Sequence, residues 1–362
     1  MNPAVALTEQ EPPLFTIVMC VHATEDYAAD AVRSVRAQSF PDWELLVVDD
    51  ACRDHSVLRV LRAAQDDPRV RLIHNDLRQG LSEARNRGIR HARGRYVCFF
   101  DCEDVAEPTF LEVAARAIDV EDPDIVVEGL TEDFFNRRGD VAYSEERTPH
   151  RAFLTGPAVQ TVVLDLEEEH LMGAIFTKFF RRELLDGLRF ESGGEPYVAD
   201  FFFTLAAIER ARSVALLPET PYHYEKHIRG ERQKTLTTGT FLERHRRTAA
   251  IQDHQQRFGL DTDESRNRLG TLYAQYVMDE LGRLTDLENY VSKEEQERWL
   301  AFLHEDPLFQ MLVLDAEPTP GLLRSLMHKA LTSTGPNSAL TLAHLMGYLK
   351  SFGPETFSRS QE

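Results

Sequence analysis

Four short apolar runs, separated by segments of helical periodicity, dominate the first hundred residues. They are FTIVMCV (Phe15–Val21), WELLVVDD (43–50), RVRLIHN (69–75) and RYVCFFD (95–101). Runs that are apolar on both faces suit strands buried within a parallel sheet. Between them, AADAVRSVRAQS places Ala31, Val32, Val35 and Ala37 near one helical face, and SVLRVLRAAQ repeats Val57, Leu58, Leu61 and Ala64. LSEARNRGIRHARG carries Ser82 as an N-cap candidate and Gly94 as a stop. This alternation predicts a doubly wound α/β sheet, whose ligands bind at the carboxyl ends of the strands.

Two acidic groups fall at such ends. Asp49 and Asp50 close the second run, and Asp101, Glu103 and Asp104 follow the fourth. Carboxylates one residue apart on a turn suit Mg²⁺ or Mn²⁺, which keep coordination positions for phosphate oxygens; the competing explanation is a solvated acidic loop. An Asp at a strand end either caps the next turn or accepts hydrogen bonds from a nucleobase or ribose. Arg85 lies near a helix start whose amides can cradle phosphate, or simply on a solvent-facing helix. Asp200 opens the helical pattern ADFFFTLAAIERA. It suits the helix dipole there. Alternatively, with Tyr197, Phe201 and Phe202 around it, it has the raised pKa of a general base. Residues 226–247 hold seven Lys or Arg against two Glu, a positive island that fits either a salt-bridged helix or a phosphate-bearing ligand.

The remaining sequence narrows the class. The 362 residues carry a formal net charge of −19, which argues against nucleic acid as partner. No apolar run approaches the ~20 residues of a bilayer span. MNPAVALTEQEPP lacks the marks of a signal peptide and reads as a flexible tail over 1–12. The four cysteines fit no metal or redox spacing, so reduced thiols in a cytoplasm are expected. Beyond about residue 130 the pattern becomes mixed, and from about 240 it is helical throughout. SKEEQERWLAFL opens with a capping box, Ser292 with Glu295. The expected segments are 13–130, 131–240 and a helical region over 241–362. Leu272, Tyr276 and Leu300 supply apolar faces for packing or for homo-oligomer formation.

The motifs taken in order resemble family 2 inverting glycosyltransferases of the GT-A, nucleotide-diphospho-sugar transferase type. The resemblance rests on FTIVMCVHA, QSFPDWELLVVDDACRDHS and RQGLSEARNRGIRHARGRYVCFFDCED, then KFFRRELL, ADFFF and YHYEK, across about residues 14–230. The fold it implies is a GT-A-type mixed α/β sheet followed by a helical C-terminal region. It implies a Mg²⁺ or Mn²⁺ held by Asp101 and Glu103, with Asp49 or Asp50 on the base or ribose of the donor. Arg85 would lie near the donor diphosphate, and Asp200 would be the catalytic base. Lys178, Arg181 and, from the island, Arg229 become candidates for phosphate or acceptor contacts. The resemblance also implies a nucleotide-sugar-binding half of the GT-A domain over 13–130 and an acceptor-binding half over 131–240. Four positions depart from the family pattern: Cys20 and His22 replace a Pro and a Tyr, Glu103 replaces an Asp, and Ala199 replaces a Glu.

The expected activity is metal-dependent transfer of a sugar from a nucleotide-diphosphate donor, such as a UDP-sugar, to a hydroxyl. The acceptor would be a glycan, a polyol phosphate or a lipid-linked molecule, as in bacterial surface-glycan or teichoic-acid synthesis. The expected location is cytoplasmic, compatible with peripheral contact at the inner face of a membrane. The competing expectation is a non-catalytic relative that binds nucleotide sugars or serves as a scaffold, suggested by Ala199.

Overall fold

The computed structural model describes residues 11–136, 138–192, 196–227, 239–284, 291–315, 322–333 and 338–343. The chain divides into two compact units, 1–233 and 234–362.

In the first unit the four apolar runs become β1 (Phe15–Val21), β2 (Trp43–Asp49), β3 (Val70–His74) and β4 (Tyr96–Asp101). All residues of β2 are buried, as a strand covered on both faces requires. These four strands are mutually parallel in the order β3-β2-β1-β4. β5 (Val105–Ala106), β6 (Ile125–Phe135), β7 (Val141–Arg147), β8 (Ala152–Thr155), β9 (Lys178–Arg181) and β10 (Ser213–His227) extend the sheet. The full order is β3-β2-β1-β4-β9-β6-β10-β5, with β7 added to β6 and β8 to β10. β9 runs antiparallel to β4 and β6, so the sheet is mixed. β6 crosses residue 130, where a division into two halves was expected.

Six helices accompany the sheet: α1 (Ala28–Arg36), α2 (Ser56–Ala64), α3 (Leu81–His91), α4 (Phe110–Glu121), α5 (Val162–Glu168) and α6 (Pro196–Arg210). Alternating side chains of β4 meet opposite layers. Phe99 packs edge-on against Phe203 of α6, whereas Phe100 meets Phe110 of α4. α3 lies close on β1 because residue 88 is Gly: a Cβ there would stand 2.3 Å from a Val18 methyl. That close approach carries Arg85, one turn earlier, toward the strand ends.

Helix details differ from expectation in two places. α2 buries Ser56, Val60, Ala63 and Ala64, while Leu58 and Leu61 are exposed. Its buried stripe is therefore rotated from the one formed by Val57, Leu58 and Leu61. Ser82 is not the N-cap of α3; Gly80 is, at φ 88°. Gly94 lies past the helix end, pressed against Thr16 so closely that any side chain would collide with backbone.

The second unit contains α7 (Gly239–Arg257), α8 (Asp263–Leu284), α9 (Lys293–Glu305), the single turn α10 (Pro307–Phe309) and α11 (Leu322–Leu331). The Ser292–Glu295 capping box forms at the start of α9. Leu272, Tyr276 and Leu300 are buried within the single chain, so they lend no support to association with a second copy. Among the described residues no helix is long and apolar enough to cross a membrane. None of the four cysteines is in a disulfide.

Candidate active site

The carboxyl ends of β1, β2 and β4 converge because the strands are parallel and in register: Cys20 lies opposite both Val48 and Asp101. Asp50, just after β2, is buried and accepts hydrogen bonds from the amides of Gln79 (2.8 Å) and Gly80 (2.9 Å) and from Asn75 (3.0 Å). The left-handed φ at Gly80 is one that a residue with a Cβ adopts at a cost. Burial opposes ionisation of Asp50, but these donors prevail and hold its pKa below the usual value. Asp49 accepts from the Cys52 amide at 2.8 Å and from the His74 ring at 2.6 Å. Both carboxylates are thus engaged in shaping their own loops.

The acidic turn after β4 splits into two roles. The Asp104 amide donates to the Asp101 carbonyl at 3.2 Å, closing the turn. Asp104 points inward, where it accepts from the Tyr222 hydroxyl (2.7 Å) and the Glu225 amide (3.0 Å). Burial, reinforced by Asp101, pushes its pKa well up, so it favours the neutral acid. The same Tyr222 oxygen accepts from the Asp101 amide at 3.2 Å. Asp101 and Glu103 stay half-exposed at the rim.

Arg85 joins this turn to α6. Its guanidinium is buried, donates to Asp101 Oδ1 at 3.1 Å and forms a short ion pair with Asp200 Oδ1. Burial disfavours the Arg85 charge, yet the two carboxylates more than offset it. The resemblance implies that Arg85 lies near the donor diphosphate; in the fold its terminal nitrogens contact Asp101 and Asp200. Asp200 is the fifth residue of α6 rather than its first, and it is buried. Burial pushes its pKa up to about 7 despite Arg85. Ala199 beside it is buried too.

The other cation candidates fall away from this cluster. The Lys178 ammonium is fully buried and donates to the carbonyls of Leu171 (2.5 Å) and Ala174 (2.7 Å). Burial pushes its pKa down to about 7. It is therefore a structural tie, not a contact for a ligand. Arg181 sits opposite Tyr96, at the amino end of β4, where it pairs with Asp122 and Asp124. It occupies the wrong edge of the sheet because β9 is antiparallel. Arg229 and half of the positive island, residues 228–238, lie outside the described residues. Tyr222 and Tyr224 contribute to the site without having been singled out. Their alternate spacing in YHYEK, which puts both on one face of a strand, was the available signal.

Among the described residues no cluster of three or more His, Cys, Asp or Glu side chains is disposed to hold a metal ion. Asp101 and Glu103 form a two-carboxylate set at a half-exposed rim. That fits Mg²⁺ or Mn²⁺ completing its shell with water and phosphate oxygens, and does not fit an all-protein cage.

The sequence pattern of "Glycosyl transferase family 2" matches residues 16–186. Residues 16–186 belong to that family. The family 2 segment contains β1–β4, the acidic turn and β9; α6 and β10 follow it. The putative glycosyltransferase EpsH of Bacillus subtilis is 29% identical over 60% of this chain and 62% of its own length. The succinoglycan biosynthesis protein ExoO of Rhizobium meliloti is 32% identical over 63% of this chain and 64% of its own. The chain thus spans about three fifths of these relatives. Staphylococcus aureus TarS, solved with UDP-GlcNAc, shares the fold with a TM-score of 0.58 at 19% identity, covering 93% of this chain and 91% of that one. The GT-A architecture and helical C-terminal region expected from the sequence are therefore present.

Proposed function

We propose that the protein transfers a sugar from a nucleotide-diphosphate donor to a hydroxyl acceptor, with inversion at the anomeric carbon. The observation that carries this reading is the Asp101–Arg85–Asp200 chain at the carboxyl edge, in which buried Arg85 and Asp200 meet a half-exposed Asp101 with Glu103 beside it. Asp101 and Glu103 would hold Mg²⁺ or Mn²⁺. Such an ion, when bound, offsets the charge gathering on the leaving diphosphate.

The chain's own residues supply the rest. Asp200, with a pKa near neutrality, can take the acceptor's proton. Arg85 engages one of its oxygens and leaves the other outside the pair. The same guanidinium orients Asp101, so proton acceptor and cation site are fixed relative to each other. Asp49 is the better of the two candidates for the base or ribose. Its partner His74 has a side chain 58% exposed and can give way to a ligand, whereas two of Asp50's three donors are backbone amides.

A UDP-sugar is the first donor to test, since the TarS fold neighbour was solved with UDP-GlcNAc. A surface polysaccharide is the proposed destination, prompted by a relative named for succinoglycan biosynthesis, with a cytoplasmic setting. Calorimetry with UDP, with and without Mn²⁺, tests the donor site. Binding should depend on Mn²⁺, and Asp101→Ala with Glu103→Ala should abolish both that dependence and transfer while thermal unfolding stays cooperative. Undiminished transfer by the double variant would remove the metal from the proposal.

A further inference from the structure

The register of β10, β6 and β7 builds a face that starts at the acidic turn and continues beyond the donor site. Tyr222, Leu130 and Arg147 are paired across the three strands, then Tyr224, Glu132 and Glu145, then Lys226, Phe134 and Tyr143. Residues two apart on a strand share a face, so these three rows lie on one side of the sheet. The first row touches the acidic turn, because the Tyr222 hydroxyl bonds both Asp104 and the Asp101 amide. Tyr222 and Leu130 of that row are buried and the next two rows are partly exposed, so the face opens outward from that turn over those two rows.

The chemistry of this face is aromatic and internally neutralised. Tyr224 stacks near Phe176 at 5.3 Å, and Phe134 stacks on Tyr143 at 4.3 Å with rings 10° apart. Lys226 sits between them, 4.8 Å from the Phe134 ring and 5.4 Å from the Tyr224 ring. Its ammonium bonds Glu132 at 2.7 Å, and Arg147 bonds Glu145 at 2.7 Å and approaches Glu132 at 3.5 Å. Two cations are thus matched by two carboxylates. The acidic turn also acts on Tyr224: burial first, then Asp104, Asp101, Glu132 and Glu103, raise its pKa.

We propose that this face is the acceptor subsite and that its ligand is an uncharged sugar chain rather than a polyol phosphate. The inference rests on the glycosyl-transfer reading and adds the acceptor's chemical class. Sugar hydroxyls are donors that Glu132 and Glu145 can accept without breaking either ion pair. Sugar C–H faces suit the Tyr224 and Tyr143 rings. A polyanion would have to displace carboxylates from Lys226 and Arg147, and would approach a chain of net charge −19.

The test is saturation-transfer NMR with a neutral chito-oligosaccharide, a neutral gluco-oligosaccharide and an oligomer of glycerol phosphate, each in the presence of UDP and Mn²⁺. Transfer to at least one neutral probe is expected, with none to the phosphate oligomer. Tyr143→Ala should weaken that binding about three- to tenfold with UDP affinity retained. Glu145→Gln, which keeps the shape of the face, should weaken it as well. Preferential binding of the phosphate oligomer would overturn the proposal. So would UDP binding with no neutral probe bound, or indifference of both variants. Absence of UDP binding in the unaltered protein would instead bring down the donor reading, and this inference with it.

Discussion

The two edges of the parallel sheet are both charged, yet they are built on opposite principles. At the amino edge two carboxylates, buried Glu44 and exposed Asp122, each face two arginines. Glu44 is bonded by Thr16, Arg71 and Arg93, and although burial opposes its ionisation, those partners hold its pKa below the usual range. Asp122 receives Arg95 and Arg181 in the same way, and its pKa is also lowered. At the carboxyl edge Asp101 and Asp200 share one buried guanidinium, Arg85, while Glu103 and Asp104 follow Asp101 on the same turn. There the pKa values of Asp104 and Asp200 go up. A surplus of cation marks a charge network that holds strands in place. A surplus of carboxylate, kept at a cost in stability, is what the proposed cation and proton-acceptor roles would require.

The largest expected effect tests the carboxyl edge. Asp200→Asn keeps the size of the side chain and removes the proton acceptor. Turnover should fall about 10²- to 10⁴-fold, with UDP affinity little changed. The pH profile sharpens this. Asp200 must be ionised to act, so kcat/KM should rise with pH up to about 7 and then level. A divalent cation at Asp101 would cancel some of the repulsion that raises this pKa, so the limb lies at or below that value. Stability has the opposite sign. The folded pKa lies above the unfolded one, so the folded protein binds the proton more tightly. This contribution is greatest in acid and is lost between about pH 4 and pH 7. Asp200→Asn should therefore flatten both trends. A variant that keeps near-normal turnover would remove Asp200 from the mechanism.

How far this contrast could be read from sequence depends on the range of each contact. The strands were legible because a run buried on both faces has no other use, and the Ser292 capping box because its two halves are three residues apart. The α2 stripe was misjudged because helical spacing alone admits two rotations. Leu58 and Leu61 look like core but face solvent, while the small residues Ser56 and Ala63 lie inside. The Arg85–Asp200 pair joins residues 115 apart in sequence. No local pattern announces it, so Arg85 was assigned to phosphate on family likeness. The acceptor face was hidden for the same reason, since its rows exist only once β7 and β10 flank β6.

At the amino edge the matching experiment should change stability and not turnover. Glu44→Gln removes the charge that Arg71 and Arg93 share but keeps a group that can accept from Thr16. The partners are partly exposed, with side chains 33% and 56% accessible, so water compensates in part. A loss of about 2–3 kcal/mol in urea unfolding is expected, with kcat per folded molecule unchanged. A fall in kcat without a fall in stability would break the division between the two edges.

The smallest effect on turnover is expected at Arg181, and it tests the division most directly. This residue looked like a phosphate ligand because it follows Lys178 in KFFRRELL. In the sheet β9 runs against β4, so Arg181 stands beside Tyr96 while Asp101 lies at the far end of a strand of 6 residues. That is about 16 Å along the strand, more than the side chain can span, and its guanidinium is already bound to Asp122 and Asp124 and to the carbonyl of Pro123. Arg181→Ala should therefore leave UDP affinity and kcat within about twofold, on the scale of RT. Stability should fall modestly, by about 1 kcal/mol, because Asp122 keeps Arg95 and is itself largely exposed. The comparison would fail if UDP affinity dropped tenfold in this variant while unfolding stayed unchanged. That result would require the two edges to communicate through β9, and an ordered donor contact at a distance the sheet does not permit.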